Sequence, residues 1–155
     1  MSPSAGAVPE AADRVLIDVN ALAIALVDDH PGYEYVRPEL QSGLDGAFDV
    51  VVFDYHLLRA QYVMTTDFAV ERVAARNSIQ SLLRQPVDVV GASRETLLEA
   101  YEISAAKNHG VYDCFLIALA RQHDIDGLLT TDTDFEELCV DEPLTYVNPV
   151  PRSVL

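Results

Sequence analysis

The stretch Val15-Leu16-Ile17-Asp18-Val19-Asn20-Ala21-Leu22 decides how the rest of the chain is read. Three consecutive apolar residues without alternation fit a short strand buried on both faces, the habit of a parallel sheet. Asp18 ends the run. Ala21 to Val27 then reads as a helix, broken by Asp28-Asp29-His30-Pro31-Gly32. The same unit recurs outward from here. Val50–Phe53, Val87–Val90, Leu128–Thr130 and Leu144–Val147 are further short apolar runs. Between them, Tyr33, Val36, Leu40 and Leu44 form a helical stripe in which Pro38 must kink the segment or open a new turn. Tyr55 to Met64 reads as a helix, with Asp67 as N-cap of another running to about Leu83. Ser93, with Glu95 in the first turn, starts a helix that closes at Lys107 and Gly110. Tyr112 to His123 and Asp134 to Leu138 complete the helices. Strands alternating with helices imply βαβ units: an α/β fold of three α/β/α layers around a central parallel sheet.

The chain has 155 residues, enough for one domain with a real core. The expected division is a flexible Ala/Pro/Ser-rich tail over residues 1–13 and a single domain over 14–150. Half the residues are apolar and 23% are charged, which excludes a disordered chain. The longest apolar run, Ala21 to Val27, is too short to cross a bilayer, so no membrane partner is expected. Met1 to Asp13 shows neither a basic start nor an apolar h-region, so no signal peptide is read there.

Acids outnumber basic residues 25 to 10, a net charge of −15, and Lys107 is the single lysine. That balance fits a halophilic, archaeal-type salt-loaded cytoplasm, where carboxylates hold hydration and salt screens their repulsion. A plain acidic bacterial protein is the alternative. Either way, a broad basic groove for nucleic acid is excluded, though not a nucleic acid met through divalent cations. Cys114 and Cys139 sit among apolar neighbours with no C-x-x-C, which indicates core residues in a reducing, cytoplasmic compartment. His30, His56, His109 and His123 show no zinc-ligand spacing.

Ligands of open α/β sheets bind beyond the carboxyl ends of the strands. Asp18 and Asn20 follow the first strand; Thr130, Thr131, Asp132 and Asp134 follow the fourth. Asp113 stands in the first turn of the helix Val111-Tyr112-Asp113-Cys114-Phe115-Leu116-Ile117-Ala118-Leu119-Ala120. Singly, these residues read as turn, N-cap or helix-start acids and a strand threonine. Jointly, they place distant carboxylates at one sheet edge, which suits metal-assisted phosphodiester hydrolysis: Mg²⁺ and Mn²⁺ take oxygen ligands and activate water without a histidine or nucleophilic cysteine. None of either is expected to be well placed.

The segments Leu16-Ile17-Asp18-Val19-Asn20-Ala21-Leu22, Val111 to Ala120 and Leu128-Leu129-Thr130-Thr131-Asp132-Thr133-Asp134-Phe135, in this order, resemble the PIN domain family, the nuclease fold of VapC-type toxins. His30-Pro31 before the Tyr33 helix resembles the family's early segment. The resemblance spans residues 14 to about 148. It implies cleavage of single-stranded or structured RNA dependent on Mg²⁺ or Mn²⁺. Carried onto this chain, it makes Asp18, Asp113 and Asp132 the metal-site carboxylates, supported by Asp134. Thr130 and Asn20 would hydrogen-bond the acids and hold their rotamers. It also implies a small antitoxin partner and a homodimer.

One position departs from the family. The family usually has a glutamate in the helix after the second strand; the matching stretch here, Leu57-Leu58-Arg59-Ala60-Gln61-Tyr62-Val63-Met64, holds Arg59. Fewer ligand charges mean weaker metal binding. The competing reading is therefore a PIN-fold RNA-binding or regulatory protein with weakened or lost catalysis. A receiver-like or phosphatase-like domain is a third; a receiver wants a strand-end lysine, and Lys107 lies near a helix C-terminus.

Overall fold

The computed structural model describes residues 6–154. Within them, five strands form one parallel sheet: β1 (Arg14–Ile17), β2 (Asp49–Phe53), β3 (Val87–Val90), β4 (Gly127–Leu129) and β5 (Thr145–Val147). Their spatial order is β3-β2-β1-β4-β5. Among the described residues, seven helices accompany them: α1 (Val19–Ala25), α2 (Tyr33–Leu44), α3 (Asp54–Thr66), α4 (Arg72–Leu83), α5 (Arg94–Lys107), α6 (Val111–Gln122) and α7 (Asp134–Leu138).

The apolar strands are buried because both faces are covered. Val15, Ile17, Val50 and Val52 pack into a core built with α1 to α4, whereas Leu16, Val51 and Leu128 point the other way, into a core built with α5 to α7. Successive strand side chains alternate faces, so a continuous apolar run supplies both cores. This is the three-layer α/β/α arrangement expected. The chain proceeds outward from β1 through β2 to β3, then returns to the far side of β1 for β4. Strand order therefore reverses between β1 and β4, and this is where an open α/β sheet leaves a crevice for ligands. In register, Ile17 lies opposite Leu129, so the residues following each strand meet at that crevice.

Some local expectations require correction. Asp67 is not the N-cap of a helix but the C-cap of α3, which runs on to Thr66; α4 starts only at Arg72. Between them Ala69 adopts a left-handed conformation (φ 55°), and the amides of Asp67 and Phe68 both bond the Val63 carbonyl. Gly110 does not stop α5. Asn108 does, as a left-handed C-cap at φ 50°, and Gly110 is instead the N-cap of α6; asparagine tolerates that conformation better than most residues. Pro38 lies inside α2, which continues through it as one element. Thr130 falls just beyond β4 rather than in it.

Of the expected tail, residues 1–5 lie outside the described residues. From Gly6 onward the segment is held against the domain: the Gly6 amide bonds the Asn148 carbonyl, the Val8 amide bonds Glu39, and Ala12 is buried. Among the described residues, no helix is long and apolar enough to cross a membrane.

Candidate metal centre

Asp18 leaves β1 as the N-cap of α1. Its Oδ1 accepts from the Val19 amide at 2.7 Å, and its Oδ2 accepts from the Thr130 hydroxyl at 2.8 Å. Both side chains are buried. The Thr130 oxygen in turn accepts the Asp132 amide at 3.0 Å, and Asp132 Oδ1 accepts the Asp134 amide at 3.0 Å. A single hydrogen-bonded chain thus runs from the end of β1 through the end of β4 into α7. Thr130 is the link between the two strand ends, donating to Asp18 and accepting from the Asp132 amide.

Asp113 reaches this centre from the first turn of α6. Its charge acts on both Asp18 and Asp132. Burial pushes the Asp18 carboxyl above its usual value; the bonds from Thr130 and Val19 oppose that shift, and the charges of Asp132 and Asp113 add to it. The Asp132 carboxyl is also raised, first by burial and then by Asp113 and Asp134, against the Asp134 amide and His109. Mutually repelling, desolvated carboxylates favour either protons or a cation.

A histidine stands at this centre, contrary to expectation. His109 Nε2 lies 2.9 Å from Asp113 Oδ2. Donor atoms of His109, Asp113 and Asp134 all lie within 4.8 Å of one another. The i, i+4 spacing of His109 and Asp113 is the trace of this pair in the sequence; it is a weak one because His109 precedes α6, which begins at Val111. Asn20 also departs from its expected role. It is exposed and makes no side-chain hydrogen bond among the described residues; the Asp18 carboxylate accepts from the Val19 amide and the Thr130 hydroxyl instead.

Asn20 faces a groove of about 290 Å³ beside Asp18, walled by Tyr55, Arg59 and Tyr112. Arg59 is exposed and forms no ion pair with Asp18 or Asp113 among the described residues; its guanidinium lies 4.9 Å from the Tyr62 ring centroid. Tyr112 is half exposed, and its hydroxyl meets Nε2 of the fully buried His56 at 3.0 Å. Nδ1 of His56 has no partner among the described residues. Burial, and then the Arg59 charge, pull the His56 pKa down to about 4. A separate cavity of about 640 Å³, lined in part by Arg37, Phe68 and Asn77, contains none of these groups.

The donor set of carboxylates and one imidazole suits a divalent cation with oxygen and nitrogen ligands. Fold and site together define an α/β protein with an acidic centre at its topological switch point. The model of the PIN domain family matches residues 15–141, and the chain belongs to that family. Solved structures of the same fold include VapBC2 from Rickettsia felis bound to a promoter DNA fragment. That match has 13% identity and a TM-score of 0.63, and covers 87% of this chain and 98% of that one. VapC20 from Mycobacterium tuberculosis, described as a sarcin-ricin loop cleaving toxin, matches with 13% identity and a TM-score of 0.64, over 80% of this chain and 94% of that one. A toxin-antitoxin complex from Klebsiella pneumoniae matches with 14% identity and a TM-score of 0.62, over 88% and 98%. At such identities the likeness is one of fold. No curated protein matches the sequence significantly.

Proposed function

We propose that this PIN domain protein is a divalent-metal-dependent endoribonuclease that hydrolyses RNA phosphodiester bonds, acting as the VapC-like toxin of a toxin-antitoxin pair. The observation that supports this reading is that Asp18, Asp113 and Asp132 feel one another's charge beside the crevice between β1 and β4, while Thr130 donates to Asp18 and accepts the Asp132 amide. Mg²⁺ or Mn²⁺ bound there lowers the pKa of water and offsets charge on the phosphate. The chain's own residues do the rest. Asp18, Asp113 and Asp132 would supply ligand oxygens. Thr130 holds Asp18 in one rotamer, and the Asp134 amide holds Asp132.

Substrate recognition at a net charge of −15 cannot rely on a broad basic surface. Tyr55, Arg59 and Tyr112 line the groove beside Asp18 and offer stacking faces and one cation to unpaired bases, which supports single-stranded or looped RNA. A small antitoxin partner is supported by the toxin-antitoxin complexes among the proteins of this fold. A homodimer and a cytoplasmic location complete the reading.

A second reading has its own observation. Arg59 brings a cation to the groove wall beside Asp18, where it lowers the negative charge available to metal. That favours a PIN-fold RNA-binding or regulatory protein with weak or no catalysis.

The experiment is Asp18→Asn beside the parent, with Mn²⁺ binding followed by calorimetry and cleavage of a labelled RNA followed in Mn²⁺, Mg²⁺ and EDTA. We expect the parent to bind Mn²⁺ and cut only with metal present, and Asp18→Asn to lose both. Metal binding without cleavage selects the regulatory reading; no metal binding by the parent rejects both the metal site and the nuclease.

A further inference from the structure

We infer that His109 is a ligand of the divalent ion, so that the centre has mixed nitrogen and oxygen donors and prefers Mn²⁺ over Mg²⁺. The inference rests on the metal-dependent reading above. Its basis is geometric. One donor atom each from His109, Asp113 and Asp134 lies within 4.8 Å of the others. Two ligands that stand 2.0–2.3 Å from one ion are separated by at most about twice that distance, so a small contraction closes the three around a cation.

The backbone fixes His109 for this. Asn108 turns left-handed at φ 50° directly after α5 and reverses the chain. The His109 amide then donates to the Ser104 carbonyl at 3.2 Å, and the Ser104 hydroxyl donates to the His109 carbonyl. Both backbone polar groups of His109 are therefore tied to one residue of the preceding helix. With the backbone pinned and α6 beginning at Val111, the ring lies over the first turn of α6, against Asp113. A bare His–Asp pair would account for two of these groups; Asp134, which arrives from α7, is the third.

Imidazole changes which ion is favoured. Mg²⁺ is hard, takes oxygen and keeps most of its water, whereas affinity for nitrogen donors rises from Mn²⁺ along the first transition row. A nitrogen ligand thus raises Mn²⁺ affinity while adding little for Mg²⁺. Ser104 acts through His109 and is a positioning residue.

The test uses the full chain loaded with Mn²⁺ and read by pulsed electron paramagnetic resonance for ¹⁴N coupling, with Mg²⁺ affinity measured by competition. Circular dichroism in EDTA first shows that each variant is folded. We expect imidazole nitrogen coupling in the parent and its loss in His109→Gln. Mn²⁺ affinity should fall on the order of 10- to 100-fold, at least the range shown by residues that only support ligands, while Mg²⁺ affinity changes little. Ser104→Ala should retain the coupling but weaken Mn²⁺ binding by about tenfold. Bound Mn²⁺ without ¹⁴N coupling, or coupling that survives His109→Gln, overturns the assignment of His109 and leaves the nuclease reading standing. Failure of the parent to bind Mn²⁺ at all overturns both.

Discussion

The Thr130 hydroxyl donates to Asp18 Oδ2 at 2.8 Å, joining residues 112 positions apart across the crevice between β1 and β4. One oxygen serves two acids: it donates to the carboxylate of Asp18 and accepts the amide of Asp132. Because Thr130 and Asp18 are both buried, water cannot readily replace the bond.

Thr130→Val preserves shape and removes the hydroxyl. It leaves a buried carboxylate oxygen and the Asp132 amide without that partner, a loss of roughly 2–3 kcal/mol for a bond to a charged group. Urea unfolding should show a destabilisation of that size, and Mn²⁺ binding should weaken. Thr130→Ser, which keeps the oxygen, should recover most of both. Equal stability of the valine variant and the parent would show that the bond contributes nothing net.

His56 predicts a pH-dependent stability. Its folded pKa, about 4, lies below the unfolded value of 6.5. In that window the unfolded chain takes up a proton that the folded chain refuses. The contribution is therefore fully present above pH 6.5 and is lost as pH falls toward 4, on the order of 3 kcal/mol in total. The acidic surface titrates in the same range, so the measurement is a difference. Parent and His56→Gln are unfolded in urea at steps between pH 7.5 and 4.5. The gap between them should narrow toward low pH; a constant gap would show that His56 titrates normally.

Arg59→Glu exchanges a cation for a carboxylate on the groove wall beside Asp18. Since Arg59 is exposed and stacks on Tyr62, the exchange should leave the fold intact. Mn²⁺ binding should tighten by roughly tenfold, as expected when a ligand charge is added. RNA cleavage reports the arginine's role. Increased cleavage shows that it holds the parent back, whereas lost cleavage despite tighter metal binding shows that it contacts the phosphate. Neither effect would mean that Arg59 lies outside the site.

Net charge sets a dependence on salt. At −15, self-repulsion opposes the compact state. Raising KCl from about 10 mM to 1 M shortens the Debye length from about 30 to about 3 Å. The thermal midpoint followed by circular dichroism should climb across that range. A midpoint independent of KCl would show that the surface carboxylates are spaced too widely to matter.

Local pattern was enough to read the strands and most of the helices, since Val50-Val51-Val52-Phe53 and Ser93 with Glu95 carry their signals within a few residues. Element ends were harder to read. Asp67 offers the same side chain to a helix start as to a helix end, and the Ala69 turn decided between them. The acids Asp18, Asp113 and Asp132 stand out as candidates because an ionisable group beside a buried strand or apolar helix needs a reason to be there. What surrounds them was not. Whether Asn20 or Thr130 holds Asp18 depends on which residue β4 delivers opposite Ile17, a matter of register between strands more than a hundred residues apart. His109 joins the centre only because Asn108 turns left-handed, and His56 becomes a buried base only when α3 packs it beneath Tyr112. Sequence by itself determined periodicity, charge and the residue types at strand ends, all of which depend on near neighbours. Tertiary structure alone decided which polar groups are desolvated together, because burial and hydrogen-bond partners come from contacts distant in the chain.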